Sequence, residues 1–291
     1  AVLPIDQNLC SLLGYYAAEG YSRQSKSVSQ VAFRICESTL KGRIIDLIKQ
    51  VFKISPNLGE DKTKITICDQ LVYNLFKYVF DCGDSAYTKK IPDILLEARE
   101  KCSQAFVSAF IDGDGSVVSQ RNAIVMYSVS RKLLDGVALL LTRIGVVSRY
   151  STTKPRFPGK KVLQRYEKLK TEPKAHVLHH LIINGPDVCI LRDQLTLYSP
   201  AKKQKGDMLN QIDRRKTLSE GRFVNLEEKG DVVFDYIKNV ETIPSKQNSY
   251  CLEVEFKKKE ERNILWGEQI LNYRCDGDEA AALLLLDGLL N

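Results

Sequence analysis

Apolar residues recur at Leu9, Leu12, Leu13 and Tyr16, the spacing of one helix face, and the run ends in Glu19-Gly20. Asp6, just ahead of it, suits an N-cap. The same shape returns at Val107-Ser108-Ala109-Phe110-Ile111-Asp112, which leads into Gly113-Asp114-Gly115. Each copy is an apolar helix that ends in acid-glycine. The segments downstream of the two copies repeat as well. After Gly20, a polar turn at Arg23-Gln24-Ser25-Lys26 leads to a strand over 30–35 and a helical run over 40–52. A strand pair ending at Lys64-Ile65-Thr66-Ile67 and a helix over about 69–79 complete the unit. After Gly115, Val117-Val118 and a turn at Gln120-Arg121-Asn122 lead to a strand over 123–129 and a helix over 132–144, closed by Gly145. Strands around 146–153 and 176–183 come next, then a helix near Pro186. The pattern predicts an α+β fold of two pseudo-symmetric α-β-β-α-β-β-α halves, residues 1–101 and 102–215.

Gly14 and Ala18 lie about one turn apart on the first helix, and Ala109 and Gly113 do the same on the second. Small residues at that spacing let two helix backbones approach closely. Paired in parallel, the helices would bring Glu19 and Asp114 together at two negative dipole ends. A bound divalent cation reverses that repulsion, because hard ions such as Mg²⁺ take carboxylate, water and phosphate oxygens. The alternative leaves each acid-glycine as an ordinary helix C-terminus with a left-handed glycine cap. One copy alone would favour that alternative, and the repeat favours the pair.

The formal net charge of +7 adds a polyanionic partner to the picture, since basic side chains near phosphates release counterions. Eight cysteines are scattered with no Cys-x-x-Cys pair, several in apolar surroundings such as Ile67-Cys68 and Val188-Cys189-Ile190. Free buried thiols in a reducing compartment are expected rather than disulfides or zinc. Neither a signal peptide nor a run long enough to span a bilayer is apparent, so a cytoplasmic location is expected.

These two segments resemble the paired motifs of the LAGLIDADG homing endonucleases, in their two-motif, monomeric, pseudo-symmetric form. Phe110-Ile111-Asp112-Gly113-Asp114-Gly115 is the closer match, and Tyr15-Tyr16-Ala17-Ala18-Glu19 is degenerate, with glutamate in place of aspartate. The resemblance covers about residues 1–210. It implies curved antiparallel sheets laid on double-stranded DNA, and Mg²⁺-dependent hydrolysis of both strands leaving short 3′ overhangs. Mn²⁺ or Ca²⁺ would be able to substitute for Mg²⁺ in a structure. It further implies catalytic acids Glu19 and Asp114, with Ala18 and Gly113 beside them in the metal site. The family places a lysine before the next motif helix, often as Lys-x-Ile-Pro. Here Lys89-Lys90-Ile91-Pro92 makes Lys89 that residue. In the second half the counterpart falls within Lys202-Lys203-Gln204-Lys205, and Lys203 is taken, although no Ile-Pro fixes the register.

For DNA contact the resemblance points to Arg23, Gln24, Lys26 and Arg34 in the first half, and to Gln120, Arg121 and Asn122 in the second. Arg149, Lys154, Arg156, Lys160, Lys161 and Arg165 form a second basic set. Arginine and glutamine can read base edges, while lysine mostly holds phosphate. His176, His179 and His180 sit in a strand-like pattern, which favours a structural role over metal ligation.

Composition shifts after about residue 215, and a small, mostly β remnant is expected there. The strands are read at Asp231–Lys238 and Ser249–Glu255, and the second resembles the C-terminal splicing block of inteins. Tyr273-Arg274-Cys275 stands where inteins carry His-Asn before a nucleophile, and arginine cannot cyclise as asparagine does. No self-splicing is expected, also because the N-terminal splicing block is not seen. Residues 216–274 are read as this remnant. Residues 275–291, with Asp276 and Asp278, resemble the large subunit of the archaeal family D DNA polymerase, which implies an archaeal source. The plain alternative for that tail is an acidic turn and a short leucine-rich helix. Two other functions stay open: an inactive, maturase-like nucleic-acid-binding protein, and a protein-splicing fragment.

Overall fold

In the computed structural model the described residues are 2–25, 28–59, 63–154 and 176–209, with 233–234, 264–267, 270–273 and 285–286. Contacts divide the chain into Ala1–Gln211 and Ile212–Asn291.

The Asp6 side chain accepts from the Leu9 N–H at 2.9 Å and starts α1 (Gln7–Glu19). The chain then builds β1 (Gly20–Gln24), β2 (Ser29–Arg34), α2 (Ser38–Phe52), β3 (Asn57–Leu58) and β4 (Lys64–Ile67). Helix α3 (Gln70–Asn74) is capped by Asp69 and runs into a π-helical turn, Leu75–Val79. The sequence pattern predicts one regular helix over this stretch. The linking helix α4 (Ile94–Glu97) precedes the second half: α5 (Glu100–Asp114), β5 (Gly115–Val118), a 3₁₀ turn at Ser119–Arg121 and β6 (Ala123–Ser128). Helix α6 (Arg131–Arg143), β7 (Arg149–Thr152), β8 (His179–Asn184), α7 (Pro186–Gln194) and α8 (Pro200–Asp207) complete it. The short helices α4 and α8 have no counterpart in the sequence pattern.

Each half carries a four-stranded antiparallel sheet, in the orders β1-β2-β4-β3 and β5-β6-β8-β7. Strand alternation turns Val31, Phe33, Ile65 and Ile67 to the helix side of the first sheet, where Phe33 meets Tyr16 at 6.1 Å between ring centres. Ile124, Met126, Leu181 and Ile183 do the same in the second. The opposite faces are mixed, with Arg23, Arg34, Lys64 and Thr66 beside Ala32 on the first sheet and Val125, Tyr127, His180 and Ile182 on the second. The predicted α+β architecture is the one observed.

At the centre, α1 packs on α5. A Cβ added at Gly14 would lie 2.3 Å from the Phe106 carbonyl oxygen and 2.9 Å from the Ala109 Cβ. One turn further on, a Cβ at Gly113 would lie 2.3 Å from the Ala18 Cβ. The two small-residue stripes therefore interlock, and the helix backbones run in contact. Gly20 and Gly115 end these helices in extended conformation, with φ of −90° and −82°. They are not left-handed caps. Their lack of a side chain matters because a Cβ would strike the Tyr16 or Ile111 backbone at 2.7 and 2.6 Å.

In the second unit, β9 (Val233–Phe234), β10 (Ile264–Gly267), β11 (Ile270–Tyr273) and β12 (Leu285–Leu286) form a sheet of order β10-β11-β12-β9. Leu285-Leu286 is strand, not part of a leucine-rich helix. Residues 249–255 and 274–284 lie outside the described residues, so the splicing-like block, Arg274, Cys275, Asp276 and Asp278 do too. Among the described residues no cysteine is in a disulfide, and Cys10, Cys82 and Cys102 are buried. Cys68 is exposed, against its apolar neighbourhood in sequence, as is Cys36. No helix among the described residues is long and apolar enough to cross a membrane.

Replacing Gly14 by valine forces backbone apart at the central contact. We expect a loss of about 3 kcal/mol or more in urea unfolding, with Gly42→Ala, whose added Cβ meets nothing within 4 Å, unchanged or slightly stabilised.

Candidate active site at the paired helix ends

Because the helices run in parallel contact, their last turns end side by side. Glu19 closes α1 and Asp114 closes α5, and a Cβ on Gly113 would lie 3.4 Å from the Glu19 Cγ. Glu19 is half-buried, while Asp114 opens to solvent on one side. The Asp114 carboxyl is nonetheless pushed up to about 6, first because packed atoms displace its water and next because Glu19 repels it, while Lys89 and Lys202 pull it down. Glu19 is raised by the same crowding and pulled down by the same two lysines.

Lys89 is 7% exposed, and its Nζ donates to the Ala18 carbonyl oxygen at 2.9 Å. Burial lowers its ammonium to about 8, against the pull of Asp114 and Glu19. On the other helix the matching lysine is Lys202. Its Nζ donates to the carbonyls of Ile111 at 2.8 Å, Asp112 at 2.5 Å and Gly113 at 2.9 Å. The neighbouring Lys203, the residue expected from sequence, is exposed and lines a cavity with Val117, Ile124 and Leu197. The reason is the phase of α8: a helix that starts at Pro200 turns position 202, not 203, toward the end of α5. Both ammoniums sit on last-turn carbonyls, of which only Ile111 also accepts a backbone N–H, from Gly115, and there the helix dipole is negative.

Asp112, in sequence only one letter of the motif, anchors the segment that delivers Lys202. It is 1% exposed and accepts from Tyr15 Oη at 3.0 Å, the Tyr198 N–H at 2.8 Å and the Ser199 N–H at 3.1 Å. The first half has Ala17 at the corresponding place. A carboxylate in a motif otherwise made of apolar and small residues is the signal that the sequence offers for this role.

Two carboxylates and the carbonyls of Ala18 and Gly113 make an all-oxygen donor set, which fits Mg²⁺, Mn²⁺ or Ca²⁺ in type. Lysine ammoniums already occupy those carbonyls, so the place attracts cations. Among the described residues no group of three or more His, Cys, Asp or Glu is disposed around one ion, so any further ligands would be water or substrate oxygens.

The face of the first sheet away from the helices carries Arg23, Arg34 and Lys64. Arg34 lies directly across from Lys64, so two cations sit side by side on this face. Lys64 is not among the DNA contacts expected from sequence. Gln24 belongs to the other face: it donates to Ser29 Oγ at 3.1 Å, which in turn donates to Gln70 of α3. Gln120 and Arg121 are exposed in the 3₁₀ turn, and Asn122 comes next with φ +46°. Arg149 and Lys154 are exposed at and just after β7. Lys26, Arg156, Lys160, Lys161 and Arg165 lie outside the described residues. His179 and His180 are in β8, with the His180 ring 4.8 Å from that of Tyr127, and His176 meets Tyr87.

Tyr15→Phe removes one bond to Asp112, and we expect a loss of about 1 kcal/mol in thermal or urea unfolding. Asp112→Ala strands the Tyr15 hydroxyl and two N–H groups and should cost roughly 3 kcal/mol or more by the same measurement. Equal effects of the two would contradict the anchoring role.

Residues 101–195 match the family model of the LAGLIDADG-like domain. The chain is 28% identical over 285 residues to the DNA polymerase II large subunit of Thermococcus kodakarensis, a match covering 97% of this chain and 15% of that protein. It is 25% identical over 307 residues to the DNA polymerase II large subunit of Haloquadratum walsbyi, covering 98% and 13%. The chain thus spans less than a sixth of the length of these relatives. Among solved structures it is similar to the homing endonuclease I-WcaI bound to its DNA recognition sequence (12% identity, TM-score 0.47, 70% of this chain and 87% of that one). It is also similar to I-DmoI in complex with DNA and Ca (14% identity, TM-score 0.46, 69% and 97%). The LAGLIDADG-like match thus falls on the second half, and the first half repeats that half's plan of elements.

Proposed function

We propose that the chain is a site-specific endodeoxyribonuclease of the homing type, acting on both strands of a long double-stranded DNA target with Mg²⁺. The observation that carries this reading is the meeting of Glu19 and Asp114 at the ends of two touching helices, each end topped by its own lysine. Two acids whose proton affinity burial raises, Asp114's further by Glu19, are a standing cost to the fold, and divalent-cation binding would relieve it. Glu19 and Asp114 would hold Mg²⁺, with the Ala18 and Gly113 carbonyls beside them. When bound, the metal supplies a more acidic water and neutralises charge on a phosphodiester.

The protein's own groups then have distinct tasks. Lys89 and Lys202 place positive charge where it would meet the negative charge that grows on the phosphate under attack. The water oxygen would bond to phosphorus as the bond to the 3′ oxygen breaks, leaving a 5′ phosphate and a 3′ hydroxyl on each strand, with short 3′ overhangs. Arg23, Arg34 and Lys64 on one sheet and Arg149 on the other supply cations for the DNA backbone and base edges. Likeness to archaeal polymerase large subunits over nearly the whole chain supports an origin as an intein within such a gene.

The test is incubation with a plasmid carrying an uninterrupted archaeal DNA polymerase II large-subunit gene, in Mg²⁺ and in EDTA. One discrete cut is expected in Mg²⁺ and none in EDTA. Asp114→Asn should slow cutting by about a hundredfold or more. Cutting by that variant at the parent rate would overturn the assignment of the site.

A second expectation needs no target DNA. Asp114→Asn removes one of two repelling carboxylates, so its melting temperature in EDTA should exceed that of the parent. The rise in melting temperature that Mg²⁺ gives the parent should shrink in the variant. An unchanged response to Mg²⁺ would place the cation elsewhere.

A further inference from the structure

Each lysine is carried by a segment that is fastened to the opposite half. Lys89 belongs to the first half, yet its backbone carbonyl accepts from Ser130 Oγ at 2.6 Å. Ser130 is the N-cap of α6 in the second half and also accepts from the Leu133 N–H at 3.3 Å. Two residues on, Ile91 lies against Gly136 of the same helix, so closely that a Cβ there would be 2.5 Å from the Ile91 Cγ1. Arg143, at the end of α6, donates to the carbonyls of Leu95 and Ala98 at 2.6 and 2.7 Å. The whole lysine-bearing connection is thus laid along α6.

The second half repeats this arrangement with different chemistry. Lys202 lies in the first turn of α8, whose N-cap is Ser199. Ser199 Oγ donates to Glu37 Oε2 at 3.0 Å, and Glu37 is the N-cap residue of α2 in the first half. Glu37 makes no side-chain cap bond to its own helix. The Arg43 guanidinium of α2 lies over the Tyr198 ring, 4.4 Å from its centre. In both halves, then, the N-cap position of the second helix holds the other half's lysine segment.

We propose that Ser130 and Glu37 are positioning residues, a crossed pair of latches that seat Lys89 and Lys202 through docking of the two halves. The importance of the lysines rests on the nuclease reading; the latch itself does not. Removing one latch unseats one lysine and leaves its counterpart in place. Because Lys89 tops the end of α1 and Lys202 that of α5, loss of a single latch should slow one strand's cut more than the other's.

The test uses the whole chain and a brief pulse of acetic anhydride, with the acetylation of each lysine read by mass spectrometry. Ser130→Ala should raise labelling of Lys89 by about fivefold, the value of one lost hydrogen bond, and leave Lys202 unchanged. Glu37→Ala should raise Lys202 and leave Lys89 unchanged. Ser130→Thr and Glu37→Gln, which keep a donor or an acceptor, should restore the parent pattern. General loosening of the fold would instead raise both lysines, with Lys49 on α2 as an internal standard. Parent-level labelling of Lys89 in Ser130→Ala, or equal rises at both lysines in every variant, would overturn the proposal. On the polymerase-gene plasmid, the single-latch variants should accumulate nicked circles. If the labelling pattern holds while the parent protein cuts no DNA, the nuclease reading fails and the latch stands.

Discussion

Backbone contact between α1 and α5 is the constraint on which the rest depends. Gly14 opposite Ala109 and Ala18 opposite Gly113 leave no room for side chains between the helices, so the pair has one register. That register puts the ends of both helices at the same level. A shift of one turn, about 5.4 Å, would separate the acids and lift each lysine from its carbonyls. The core, the two sheets and the lysine segments all hang on helices whose relative position is set by missing methyl groups.

Charge at the helix ends is a result of that register. Two dipole ends and two carboxylates meet, and the protein answers with two ammoniums on the outermost carbonyls. The compensation is incomplete, because both acids still hold their protons more tightly than free carboxyls do. A site in this condition is stable enough to fold and still short of positive charge.

Much of this is legible in the sequence, because the helical stripe, the small residues and the acid-glycine ends are local patterns repeated twice. Lys89 is legible because Ile91-Pro92 fixes its register. Lys202 is not, since its placement depends on where α8 begins, and that depends on Asp112 and Glu37, distant in sequence. The same limit hides Lys64, whose significance lies in facing Arg34 across two strands. It also misplaces Gln24, whose direction is set by alternation from a strand end that periodicity does not define. The π turn at Leu75–Val79 and the extended, not left-handed, glycines are departures of backbone that side-chain pattern does not encode.

The bond from Tyr15 to Asp112 has a consequence for descent by duplication. The two halves share a plan, but this pair is unlike across the axis: Tyr15 faces Asp112, while Phe110 corresponds to Tyr15 and Ala17 to Asp112. A dimer of two first halves would bury tyrosine hydroxyls against alanines. A dimer of two second halves would set carboxylates against phenylalanines and leave each Asp112 only the Tyr198 and Ser199 N–H groups. The Tyr15–Asp112 bond thus favours the unlike pairing of halves over a like one.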